Sequence, residues 1–338
     1  ALFGASAKVC IAVNLLQEAR STLLGRALAR ALKMPVWARM MAVAGHAIWL
    51  AGIWNCAVLA RENLSTPLLL AVALLALRIL ANGPRATLAM LTGATFGAAL
   101  LTGTSSLPII LAPLLALAFA AKWRISQMAP PTLALLAGTL LIVAPWMLAT
   151  QAMLGRAVLT SNSGFNLYLG NNPAADGRFV SIAKTPAAAD WRVLNDSIGE
   201  AGASTELGHR AITYMIHNPA RTAQLTARKL ALFWAPNLPS AADFTSNRTV
   251  ALIRLGEVAE YCAFLILGLA ALILNTAPLH TRLTLAALIA GFWGLHGIAY
   301  IIARYRDPVM PLLIVLACAT ISYLFTRYSA HKEPNHAA

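Results

Sequence analysis

Residues 131–150, PTLALLAGTLLIVAPWMLAT, contain no charged side chain. About 20 apolar residues in helical conformation cross the hydrocarbon core of a bilayer. Residues 251–275, 283–303 and 307–327 are comparably apolar. The chain as a whole is 59% hydrophobic and 11% charged, where soluble domains carry roughly 25% charged residues. Most of its surface must therefore face something other than water. Inside a bilayer the backbone has to satisfy its own hydrogen bonds, which leaves helices as the spanning unit for runs of this kind. The expected fold is an all-α integral membrane protein.

Turn signals divide the chain. Met34-Pro35 and Asn82-Gly83-Pro84 break the apolar pattern, and Pro108 and Pro130-Pro131 sit where helices begin. Nine transmembrane helices are predicted, at 9–31, 37–60, 65–81, 86–103, 106–121, 131–152, 251–275, 282–303 and 308–327. They form an N-terminal bundle (1–152) and a C-terminal group (251–327). Between the two lies one long polar segment (153–250), and a tail (328–338) follows. Within the polar segment, Thr205 to Ile216 and Ala220 to Trp234 carry apolar residues at helical spacing, as interface helices do.

The net charge of +14 would suggest nucleic acid in a soluble protein. Here the basic residues gather at helix ends, where they act as topology signals, so no nucleic-acid partner is expected. With the short connections assigned alternately to two sides, eleven basic residues fall on one (Arg26, Arg30, Lys33, Arg39, Arg78, Arg85, Lys122, Arg124, Arg282, Arg327, Lys332). Four fall on the other (Lys8, Arg61, Arg304, Arg306). The first side reads as cytoplasmic, which puts 153–250 outside, the C-terminus inside and the N-terminus outside. With Ala1 rather than Met at the start and no signal peptide, the chain reads as a fragment lacking a preceding membrane segment. The cysteines Cys10, Cys56, Cys262 and Cys318 lie in apolar runs and read as packed thiols.

Charges in or beside spanning helices are costly and usually functional. Arg304 and Arg306 lie on the outer side in ARYRDPVMP. An extended Arg-Tyr-Arg points both guanidinium groups to one face, and two such forks suit a phosphate; the alternative is snorkelling to head groups with Asp307 as local partner. Glu62, at an outer helix start, either positions an acceptor or a metal, or is a carboxylate favoured by the helix dipole. Glu18 belongs to a polar stripe with Asn14, Gln17 and Arg20, and reads as a network internal to the bundle. Glu257 and Glu260 read as solvated at the outer interface. The run SNSGFNLYLGNNPAADGRF is dense in Asn and Gly; Asn162, Asn166 and Asn171 are candidates for hydrogen bonds to sugar hydroxyls. His46, His209, His217, His280 and His296 show no metal-ligand spacing and read as packing or surface residues.

Three runs occur in a telling order: PWMLATQAMLGRAVLTSNSGFNLYLGNNPAADG, then HNPARTAQLTARKLALFWAP, then ARYRDPVMPLLIVLA. Together they resemble bacterial membrane glycosyltransferases of the GT-C superfamily, near the protein O-mannosyltransferases and the lipid A aminoarabinose transferase. RENLSTPLLL resembles the family's Glu-Thr-Leu-Phe run, with Glu62 at the Glu. The resemblance implies an inverting hexosyl- or pentosyltransferase in the bacterial cytoplasmic membrane. Such an enzyme takes a sugar from a polyprenyl-phosphate donor and passes it to a protein hydroxyl, a glycolipid or a glycan on the outer face. It further implies a general base, an Asp, upstream of Ala1, so that this chain alone is expected to be inactive. Arg304 and Arg306, with Lys229 contributing, would stabilise the departing phosphate. No cofactor is required by this reading, although a divalent metal is compatible with it. Two other readings stay open: a secondary transporter or flippase of an envelope lipid, and a surface-polysaccharide polymerase or ligase.

Overall fold

A computed structural model describes residues 6–332; residues 1–5, and the end of the expected tail from Glu333 onward, lie outside the described residues. The described chain is all-helical. In chain order the helices are α1 (Ala7–Ala31), α2 (Val36–Ile48), α3 (Leu50–Asn55), α4 (Glu62–Asn82), α5 (Ala86–Thr102), α6 (Leu111–Ala120) and α7 (Ile125–Leu154). The polar segment follows with α8 (Ser163–Gly170), α9 (Trp191–His217), α10 (Pro219–Trp234) and α11 (Ala241–Ser246). The chain then closes with α12 (Arg248–Ile273), α13 (Leu279–His296) and α14 (Met310–Lys332). Short 3₁₀ helices at Thr104–Ile110 and Ala303–Val309 lead into α6 and α14.

Four helical stretches are long and apolar enough to cross a membrane: Glu62–Asn82, Ile125–Leu154, Arg248–Ile273 and Ala303–Ser329. The other five expected spans are helical over shorter, broken or more highly charged lengths. The predicted helix 37–60 divides at Trp49, whose ψ of 107° is not helical. Two acids hold the break open: Glu260 accepts the Leu50 N–H at 3.0 Å, and Asp307 accepts from Asn55 Nδ2 at 2.8 Å. Glu260 therefore has a structural acceptor role beyond the solvation expected of it. The predicted helix 282–303 stops at His296, and the residues after it turn back toward the polar segment. Pro130 and Pro131 lie inside α7 rather than at its start. The carbonyls they leave without a helical donor, those of Ser126 and Gln127, belong to an exposed turn.

The core sits on α4 and α14. From Val309 to Ala319 every side chain of α14 and its approach is buried, and α4 buries nearly every residue from Leu69 to Leu77. Helix α1 packs on α4, α2 and α14, and α12 packs along α14. By contrast α7 leaves Leu133, Leu136, Leu140, Leu141 and Leu148 exposed, an uncharged outer face.

Helices α5 and α7 cross at glycine. A Cβ placed on Gly93 would come within 1.8 Å of the Leu135 carbonyl oxygen, and one on Gly138 within 2.1 Å of that of Met90. Thr139 Oγ1 donates to the Gly93 carbonyl at 3.1 Å across the same crossing. Small residues that let backbones meet, together with a hydroxyl bridging them, are what hold helices together where no hydrophobic effect acts between them. Replacing Gly93 with Val is predicted to force the pair apart and cost about 3 kcal/mol or more, measured by denaturant unfolding in detergent; an unchanged midpoint would mean that the crossing is not tight.

Candidate functional site

The connection before α4 is held by asparagines. Asn14, buried in α1, donates to the carbonyls of Cys56 and Val58, both at 3.0 Å. Asn63 donates to Asn55 O at 3.0 Å and Val58 O at 2.9 Å. With its backbone oxygens occupied in this way, the 55–61 turn presents Arg61 and Glu62 in one orientation at the start of α4. The polar stripe of α1 thus divides its work: Asn14 fixes this turn, Glu18 pairs with His46 at 2.8 Å, and Arg20 donates to Gln17 at 3.2 Å.

Glu62 lies in a narrow crevice lined also by Arg61, Ser65, Thr102, Ser105, Phe292, His296, Tyr305 and Pro308. The crevice has room for about one water. The Glu62 side chain is 6% exposed, while the Arg61 and Arg304 side chains at the mouth are 45% and 47% exposed. Glu62 Oε1 is 3.4 Å from Arg61 Nε, and Oε2 is 3.7 Å from Arg304 Nε. Charge-assisted hydrogen bonds are usually near 2.7–2.9 Å, so these are loose ion contacts. Oε2 is buried and has no hydrogen-bond partner among the described residues. A buried carboxylate oxygen without a donor is costly unless something arrives to use it. The aromatic side of the crevice is a connected stack. The His296 ring is 5.4 Å from Tyr305, 4.7 Å from Phe292 and 5.1 Å from Phe233, and Arg61 lies 5.6 Å over Tyr305. His296 Nδ1 is 2.7 Å from the Phe292 carbonyl.

The residues expected at the phosphate do not converge. Residues 303–309 form a 3₁₀ helix, not an extended strand, and in a three-residue turn side chains two apart point in different directions. Arg304 turns to Glu62. Arg306 is buried; its Nη1 donates to Ala235 O at 2.5 Å and its guanidinium lies 3.9 Å over the Tyr261 ring. Its fork is spent on the end of α10 and on α12. Asp307, offered as a local partner for the arginines, instead takes the Asn55 amide.

Lys229 is fully buried and donates to Asn171 Oδ1 at 2.9 Å and Ile298 O at 3.1 Å. Asn171 itself donates to Leu167 O at 2.8 Å and Ile298 O at 2.7 Å. This pair locks the polar segment to the chain after α13, beside the Ile301 N–H to Gly177 O bond of 3.0 Å. Neither residue is free for a ligand. Asn166 accepts from the Tyr300 hydroxyl at 3.3 Å, and exposed Asn162 accepts from Thr160 at 2.7 Å and from Asn166 at 3.3 Å. Of the seven candidates, Glu62 and Arg304 meet in one place. Arg61, Tyr305 and His296 join them there; the basic residue next to Glu62 and the tyrosine inside Arg-Tyr-Arg were the available signals. Among the described residues no group of three or more His, Cys, Asp or Glu is placed to hold a metal ion.

No protein-family model matches the chain, and neither a curated protein nor a solved structure matches it significantly.

Burial lowers the pKa of Lys229 from 10.5 to about 8. Below pH 8 the ammonium is charged in folded and unfolded chains alike, and the whole burial penalty stands. Between pH 8 and 10.5 the folded protein has released a proton that unfolding takes up again, so folded stability rises with pH. Relative to Lys229→Met, the wild type is predicted to gain about 2–3 kcal/mol between pH 7 and pH 10. Thermal unfolding of both proteins at each pH checks this, and parallel pH profiles would contradict it.

Proposed function

We propose that the chain belongs to a membrane glycosyltransferase that moves a sugar from a polyprenyl-phosphate donor to an envelope acceptor. In this reading the protein sits in the bacterial cytoplasmic membrane with residues 153–250 facing outward and the C-terminus inside. The observation that carries it is the Glu62 crevice: a buried carboxylate oxygen without a donor, flanked by two half-exposed guanidinium groups.

The chemistry needs those two elements together. When the bond between the anomeric carbon and the phosphate oxygen breaks, the electron pair stays on the phosphate, and negative charge grows there. Fixed guanidinium groups in a water-poor setting stabilise that charge without reorganising. Arg304 and Arg61 fill this role; Arg306 and Lys229 hold the scaffold. The acceptor hydroxyl must approach the opposite side of the anomeric carbon, with its proton directed at a hydrogen-bond acceptor. Glu62 Oε2 is an oxygen of that kind: it orients the hydroxyl and takes its proton as the new bond to the anomeric carbon forms. In the absence of donor, Glu62 also balances the two arginines, so the site is neither strongly repulsive to itself nor closed to an anion.

The test is sugar transfer in vesicles containing a polyprenyl-phosphate-linked sugar, with release of polyprenyl phosphate as the readout and the protein in its full-length form. Arg304→Ala is predicted to lower turnover by about 10²-fold or more while the protein stays folded, because its half-exposed side chain makes only a loose ion contact, to Glu62. Arg306→Ala is predicted to fail earlier, at folding, because it strips donors from the Ala235 and Phe233 carbonyls. Undiminished turnover in Arg304→Ala would remove the phosphate assignment. Movement of the lipid across the bilayer without its consumption would replace transfer by transport.

A further inference from the structure

A second concavity lies where the polar segment meets the bundle, with a volume of about 420 Å³, inside the range of roughly 300–1,000 Å³ typical of small-molecule sites. Six hydroxyls line it: Thr104, Thr160, Ser161, Ser163, Ser204 and Thr205. The crossing of α8 over α9 gathers three of them. Gly164 has no room for a side chain, since a Cβ there would lie 2.0 Å from the Ser204 carbonyl oxygen. The Phe165 N–H donates to Ser204 Oγ at 3.1 Å. The two helices therefore meet backbone to backbone and set Ser163 beside Ser204 and Thr205.

The charged groups at the rim are held but not used up. Arg156 gives one N–H to Thr205 Oγ1 at 2.9 Å, and Ser161 Oγ donates to Glu200 Oε1 at 2.5 Å. Arg156 is otherwise exposed, and among the described residues the hydroxyls of Thr104 and Ser163 have no protein partner. Met147, Val158 and Leu159 also line the groove and supply its apolar part. Hydroxyls that both donate and accept, a fork donor, a carboxylate and an apolar patch match one class of ligand. A pyranose has a rim of hydroxyls and a face of C–H bonds. The groove is also close to the Glu62 crevice in the chain: Thr102 and Ser105 line the crevice and Thr104 between them lines the groove.

We propose that this groove binds carbohydrate and, resting on the transfer reading above, that it seats a glycan acceptor and delivers one of its hydroxyls toward Glu62. The acceptor class is then a polyhydroxylated chain rather than a protein serine or threonine.

The experiment applies the full-length protein in nanodiscs to a printed array of neutral, acidic and amino-sugar oligosaccharides, with Ser/Thr-rich peptides on the same surface. The wild type is expected to bind at least one oligosaccharide class. Arg156→Ala and Thr205→Trp, both exposed positions, are each expected to lower that binding at least tenfold, the first by removing donors and the second by filling the groove. A blank oligosaccharide field overturns the proposal, as does binding that Thr205→Trp leaves unchanged. Binding confined to the peptides assigns the groove to a protein acceptor and also overturns it. Donor consumption by the wild type, measured in parallel, separates the two readings. Consumption with a blank array removes only the groove, and glycan binding without consumption leaves a carbohydrate site and removes the transferase.

Discussion

Arg306 ties the end of α10 and the Tyr261 ring of α12 to the 3₁₀ turn before α14. A guanidinium taken out of water is tolerated only when its donors and its π-face find partners, and here carbonyls at the end of α10 and the Tyr261 ring of α12 supply them. Because that side chain reaches in two directions, the 3₁₀ turn that carries it cannot shift without uncovering a charge. The neighbours in the same turn inherit its position: Arg304 faces Glu62, Tyr305 stacks on His296, and Asp307 reaches Asn55. The crevice is thus a by-product of how one buried cation is satisfied.

The same economy appears at Lys229. An amphipathic helix with basic residues suggests a membrane surface, and exposed Arg228 fits that picture, whereas Arg221 donates to the Ala175 carbonyl at 3.0 Å. Lys229 does not, because it points into the protein and shares the Ile298 carbonyl with Asn171. Two of the polar residues that look most like ligand contacts in the sequence are therefore fasteners between the polar segment and the helices.

What was legible in the sequence follows from period and composition. Each of the nine expected spans contains helix, four of them long and apolar enough to cross a membrane, and the spacing in 205–216 and 220–234 located α9 and α10, because both signals are local. The break at Trp49 was not legible: the acids that stabilise it, Glu260 and Asp307, come from positions over 200 residues away. Lengths were overestimated where an apolar run continued past the helix, as after His296. At the site, Glu62 and Arg304 stood out as charges beside apolar runs, while His296 was passed over because a lone histidine on an apolar helix gives no spacing to read. Reading Arg-Tyr-Arg as extended failed for a stated reason: Pro308 and the following helix favour a turn, and a turn separates side chains that a strand would align.

The interlocking glycines of α5 and α7 carry a consequence for biosynthesis. At roughly 5–20 residues per second, Gly138 leaves the ribosome about two to seven seconds after the end of α5. During that interval the narrow groove at Gly93 has no mate, and α6, made in between, is the nearest apolar helix. The crossing joins Gly93 to a helix with a glycine opposite and a threonine one position on, and α6 has neither residue. Chain order thus leaves a gap in assembly, and the shape of the groove keeps that gap from being filled wrongly.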